Sequence, residues 1–114
     1  MYAGEILTCA EAGIDVVLAV LNDGRYNMVH HGFAAMFGRR PAGLPHRVAD
    51  IAGVARAFGA VGVRVERPEH LETSTLQRLT SSRRPVVLDV RIDAALSLTA
   101  DGRSAALGLS LIHI

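Results

Sequence analysis

The chain has 114 residues, half of them hydrophobic, with 12 basic and 11 acidic side chains and a formal net charge of +1. That length and composition suffice for one domain with a core. The near-neutral balance leaves no electrostatic footprint for nucleic acid or an anionic membrane, and no apolar run reaches the ~18–20 residues of a membrane-spanning helix. One cysteine, Cys9, cannot form an internal disulfide. This is compatible with a reducing compartment, and the start of the chain lacks the basic, apolar and cleavable regions of a signal peptide, so a cytoplasmic location is expected.

Ala3, Ile6, Leu7 and Ala10 recur at helical spacing, and Gly13 stands where a left-handed residue would close the helix. Cys9 has no neighbour that would lower its pKa and reads as a small buried hydrophobe. Ile14 to Leu21 carries a single charge, Asp15, and Val16, Val17 and Val20 are β-branched. Such a run predicts a strand buried on both faces, as in a parallel sheet. The run stops at Asn22, Asp23 and Gly24, then a loop turns into a short helix ending near Gly38. Arg39 to Arg47, with two prolines and three arginines, reads as an irregular surface loop, with phosphate binding a weaker alternative.

Asp50 is placed to cap a helix that presents Ile51, Val54, Ala55 and Phe58 on one face and stops at Gly59. Val61 to Glu66 predicts a shorter strand. Pro68 suits the first turn of a further helix, Glu69 and Glu72 complement its positive end, and Leu71, Leu76 and Leu79 partly line it. Pro85 to Asp93 is a second apolar strand, in which Asp89 and Arg91 either pair with each other or cap the sheet edge. Strand, helix and strand in succession predict parallel pairing. The expected class is α/β, a three-layer parallel sheet with helices on both faces, incomplete at its N-terminal side. No partner strand is identifiable for the Asp101-Gly102 turn and the apolar tail after it.

In an open α/β sheet, ligands bind beyond the carboxyl ends of the strands, which is where Asn22-Asp23-Gly24 falls. A carboxylate and an amide offer hard oxygen ligands, and glycine lets the backbone turn closely enough to present carbonyls. Magnesium takes one or two carboxylates and fills its remaining positions with water and phosphate, so a Mg²⁺–phosphate site is one reading. The plainer one is an ordinary turn, since the same triplet is standard turn chemistry. His30 and His31 invite a zinc or general-base reading, but adjacent side chains diverge and no third ligand lies at a recognised spacing. One of them hydrogen-bonding a substrate carboxylate remains open beside the default of a solvated pair.

Three stretches carry a resemblance that covers most of the chain: AGEILTCAEAGIDVVLAVLNDGRYNMVHHG, VARAFGAVGVRVERPEHLE and RPVVLDVRID. From Ala3 to Asp93 the sequence resembles the C-terminal, diphosphate-binding domain of thiamine-diphosphate enzymes of the acetolactate synthase and 2-oxoacid decarboxylase kind. That family carries a Gly-Asp-Gly motif and, further along, a closing Asn-Asn or Asn-Asp pair, matched here by Asn22-Asp23. The resemblance implies thiamine diphosphate and Mg²⁺ as cofactors. Asp23 would ligate the metal through its side chain and Arg25 through its main-chain carbonyl, with Asn22, Gly24, Tyr26 and Met28 completing the cofactor-binding set. The family more often has Gly-Met where Asn27-Met28 stand, and leucine where Thr75 stands.

The family's Gly-Asp-Gly would lie upstream of Ala3, and its cofactor-activating glutamate belongs to another domain. The expectation is therefore a fragment: residues 1–93 a partial diphosphate-binding domain, 94–114 a divergent or non-native tail. The full enzyme would act on a 2-oxoacid, by decarboxylation with or without carboligation, as a homodimer or homotetramer. Its partners would be the missing N-terminal domains, and the isolated chain would be inactive. Surfaces built to meet those domains would stay exposed. The rival reading is a non-catalytic α/β binding or subunit-interaction module. A Rossmann dinucleotide binder is disfavoured, since no G-x-G-x-x-G follows a strand.

Overall fold

The computed structural model describes residues 3–43 and 47–96. Contacts divide the chain into two units, Met1–Asn22 with Ala49–Ile92, and Asp23–Val48 with Asp93–Ile114. The expected tail from residue 97 onward, including the Asp101-Gly102 turn, lies outside the described residues, as do positions 44–46 of the arginine-rich loop.

The first unit is an α/β sheet. Helix α1 (Gly4–Ala12) leads to strand β1 (Val17–Asn22), and helix α3 (Ile51–Ala57) leads to β2 (Val61–Val65). A 3-10 turn (Pro68–Leu71) and helix α4 (Thr73–Thr80) then lead to β3 (Val86–Arg91). The three strands are parallel in the order β1-β3-β2, with Val17 and Val61 both in register with Val86.

Strand β3 is central, and its side chains alternate between two cores. Val87 packs with Ile6 of α1, Ala55 of α3 and Ala60, while Val86 and Leu88 pack with Val65 and with Leu76 and Leu79 of α4. Helices thus cover both faces, as the sequence predicts. Val86, Val87 and Leu88 are almost wholly buried, each contributing roughly 1.5–3 kcal/mol. At Gly62 the α3 backbone comes so close that a Cβ would sit 2.1 Å from the Ala52 carbonyl oxygen. Only glycine permits that approach.

Several elements differ from the expectation. Strand β1 begins at Val17, because the end of α1 ties the preceding residues to itself. The Gly13 N–H donates to the Ala10 carbonyl (3.4 Å) and the Ile14 N–H to the Cys9 carbonyl (2.9 Å), the two bonds of a Schellman closure. Nor is β1 buried on both faces. It is an edge strand, α4 packs over β2 and β3, and Val17, Ala19 and Leu21 face outward. Cys9 is half-buried. On α3 the inward face is Ala52 and Ala55, with Val54 exposed.

The single helix expected from Pro68 is two pieces, separated at Glu72, whose ψ of 146° is extended. Thr73, Ser74 and Thr75 follow at once. Such residues compete for the backbone with their own side chains, which favours a new start over propagation. Asp50 caps α3 as predicted, its Oδ1 accepting from the Gly53 N–H at 3.0 Å.

In the second unit, helix α2 (Asn27–Phe37) closes on Gly38, whose N–H donates to the Ala34 carbonyl at 2.9 Å. No helix among the described residues is long and apolar enough to cross a membrane.

Candidate functional site

Asn22 ends β1, opposite Arg91 in the register. Its Nδ2 donates to Asp89 Oδ1 (2.9 Å) and to the Ala49 carbonyl (3.2 Å). Asp89 is completely buried, and its second oxygen accepts from Arg91 Nη2 at 3.1 Å. Arg91 reaches the same Ala49 carbonyl at 3.4 Å. A charged side chain in the middle of the sheet is tolerated because both its oxygens are paired. The Asp89–Arg91 pairing is thus the one realised, and it lies on the central strand and not at a sheet edge. Sequence reasoning missed that Asp89 also holds Asn22. The available signal was an acidic residue in an otherwise apolar strand, with an asparagine ending the other one.

The remaining predicted residues, Asp23, Gly24, Arg25, Tyr26 and Met28, belong to the second unit. There the backbone makes two successive tight turns. Asp23 Oδ1 accepts from the Arg25 N–H at 3.3 Å, an Asx-type turn passing through Gly24 at φ +74°. A Cβ on Gly24 would lie 3.2 Å from Val48 Cγ2. Tyr26 then has φ −74° and ψ 69°, and the Asn27 N–H donates to the Arg25 carbonyl at 2.9 Å, an inverse γ-turn. Helix α2 starts from it, the Tyr26 carbonyl accepting from the N–H groups of Val29 (3.1 Å) and His30 (3.0 Å). Tyr26 and Met28 are exposed.

Three side chains of this unit converge on one atom. Arg25 Nη2, Asn27 Nδ2 (3.1 Å) and His31 Nε2 (3.2 Å) all meet the Ala94 carbonyl oxygen. Arg25 Nε also donates to Asn27 Oδ1 at 2.8 Å. Asn27 and His31 lie one helical turn apart and therefore share a face of α2, which adjacent histidines cannot do.

The oxygen atoms suit a hard divalent cation shared with a phosphate. Asp23 is half-buried and uses one carboxylate oxygen in the turn, and the Arg25 carbonyl retains a lone pair beyond the one met by Asn27. Among the described residues no group of three or more His, Cys, Asp or Glu side chains could hold a metal by itself. That removes support from a zinc reading of the histidines.

Comparisons with known proteins point to a thiamine pyrophosphate enzyme domain. The profile described as "Thiamine pyrophosphate enzyme, C-terminal TPP binding domain" matches residues 1–90. Acetolactate synthase of Mycobacterium bovis is 34% identical over 95 residues, covering 79% of this chain and 15% of that protein. Acetolactate synthase of Bacillus subtilis is 33% identical over 91 residues, 80% of this chain and 16% of its own length. The mitochondrial catalytic subunit of acetolactate synthase from Saccharomyces cerevisiae is 28% identical over 93 residues, 82% of this chain and 13% of that protein. The chain therefore spans about 15% of the length of the relatives it matches. With a parallel α/β sheet and a match over four-fifths of its residues, the chain belongs to the family of C-terminal, thiamine-pyrophosphate-binding domains of thiamine pyrophosphate enzymes.

Proposed function

We propose that this chain anchors Mg²⁺ and thiamine diphosphate for an acetolactate synthase-like enzyme acting on 2-oxoacids. The observation that carries the proposal is the half-buried Asp23 carboxylate in the turn immediately after β1, followed by the Arg25 carbonyl, which accepts one bond from the Asn27 N–H and keeps a second lone pair. Asp23 and that carbonyl would hold the metal, whose role would be to offset the charge of the cofactor's phosphates, and Gly24 would keep the backbone low enough for the approach. Asn22 fixes the end of the strand from which the turn departs, while Tyr26 and Met28 offer exposed surface to the cofactor. When bound, the cofactor supplies the electron sink for decarboxylation of a 2-oxoacid, with or without transfer to a second carbonyl.

The remaining length of the relatives supplies the other domains in this proposal, in a cytoplasmic homodimer or homotetramer. Ile14, Val17, Leu21, Met36 and Phe37 are exposed, as large apolar side chains are where further polypeptide packs. Calorimetric titration with thiamine diphosphate and Mg²⁺ tests the anchoring role. Two ligands on the protein side give weak, metal-dependent binding that Asp23→Ala abolishes. Metal-independent binding, or binding unchanged in Asp23→Ala, would overturn the assignment and favour a module that keeps the fold without the site.

A further inference from the structure

A carbonyl oxygen has two lone pairs, yet Ala94 receives a guanidinium, a carboxamide and an imidazole. Because a carbonyl can only accept, His31 presents Nε2 as a donor here. The donors are mutually braced, Arg25 Nε being held by Asn27 Oδ1 at 2.8 Å and the Asn27 N–H by the Arg25 carbonyl at 2.9 Å. Among the described residues the Arg25 guanidinium pairs with no carboxylate. A half-buried guanidinium and two further donors therefore surround a neutral oxygen that cannot balance the charge or use every N–H.

We infer that Arg25, Asn27 and His31 form a binding site for a small carboxylate, and that the Ala94 carbonyl occupies it in place of a carboxylate oxygen. A carboxylate brings two oxygens, about four lone-pair directions and a full negative charge, which matches a planar fork flanked by two further donors. The segment after β3 acts as the competitor. Its turn is held by Asp93, whose Oδ1 accepts from the Ala95 N–H at 2.8 Å and whose carbonyl accepts from the Leu96 N–H at 3.2 Å. Identifying the carboxylate with that of a 2-oxoacid rests on the proposed function. The anion site itself rests on the three donors.

Nuclear magnetic resonance titration of the full chain, without Mg²⁺ or thiamine diphosphate, separates the two. Pyruvate and acetate each produce saturable shifts of the Asn27 side-chain amide, the Arg25 Nε–H and the His31 ring. Asp93→Ala, which loosens the turn carrying the competing carbonyl, tightens binding several-fold. Loss of one charge-assisted donor in Arg25→Gln weakens it about tenfold or more. His31→Gln, which keeps an N–H donor, binds better than His31→Phe. Saturation in Asp93→Ala alone also supports the site, since it shows the carbonyl as the barrier. Response to inorganic pyrophosphate but to neither carboxylate would overturn the proposal in favour of a phosphate site. No response by either the wild type or Asp93→Ala overturns it outright, whatever the outcome of the cofactor titration.

Discussion

Replacing Asp89 by alanine tests whether the buried carboxylate holds the end of the sheet together. The substitution removes the acceptor for Asn22 Nδ2 at 2.9 Å and for Arg91 Nη2 at 3.1 Å, at a position with no solvent exposure. Breaking a buried ion pair costs about 3–5 kcal/mol, mainly through the charge left behind. The Arg91 side chain is 22% exposed and can turn partly into water, which lowers its share. Asn22 loses one neutral-to-charged hydrogen bond but keeps the Ala49 carbonyl. A loss of about 2–4 kcal/mol is therefore expected. With a urea slope of about 2 kcal/mol/M, the midpoint falls by about 1–2 M at unchanged slope. Asp89→Asn, which keeps one acceptor, falls in between, and Asn22→Ala costs less than Asp89→Ala because it leaves the ion pair intact. Equilibrium urea unfolding followed by circular dichroism measures all three. A loss below about 0.5 kcal/mol for Asp89→Ala, the range of ordinary surface changes, would refute the argument.

Gly62→Ala forces a Cβ to within 2.1 Å of the Ala52 carbonyl oxygen, so α3 must move away from β2; the thermal midpoint should drop by the equivalent of about 1–3 kcal/mol or more, read by scanning calorimetry. Gly24→Ala places a side chain at φ +74° and 3.2 Å from Val48 Cγ2. It should cost about 1–2 kcal/mol in urea unfolding and weaken metal-dependent cofactor binding in the same calorimetric titration used for Asp23. Asp50 has its carboxyl held below the ordinary carboxylate range chiefly by the Gly53 N–H; desolvation opposes this, and Arg56, Arg64 and Arg91 each lower it by less than desolvation raises it. Since the folded-state value is the lower one, its stabilisation is fully present above the unfolded value and disappears as pH falls through the folded value. The stability gap between wild type and Asp50→Ala, measured across the acid range, should therefore be widest near neutrality and close at low pH.

The parts of this molecule that were legible in its sequence are those set by local chemistry. Asp50 capping α3, Gly13 and Gly38 closing helices, and the apolar run of β3 depend on a few adjacent residues, and each appears where its neighbours require it. What the sequence hid depends on which element covers which. Ile14 to Leu21 reads as a doubly buried strand because its composition is that of one. Yet α4 packs over β2 and β3, so the second apolar face of β1 stays open, and composition records only that a face is apolar. The same limit applies to the site. Asn22-Asp23-Gly24 announces a turn at the end of a strand, and the Asx bond to Arg25 bears that out. The hydrogen bonding of Asn22 depends on Asp89, 67 residues later, and the meeting of Arg25, Asn27 and His31 depends on a carbonyl at position 94. Side-chain type gives no clue to that meeting, since the acceptor belongs to the backbone of an alanine. Adjacent side chains such as His30 and His31 diverge on a helix. On a helix the informative partner of His31 lies four residues back, at Asn27, where a donor stands in a position that this family more often gives to glycine.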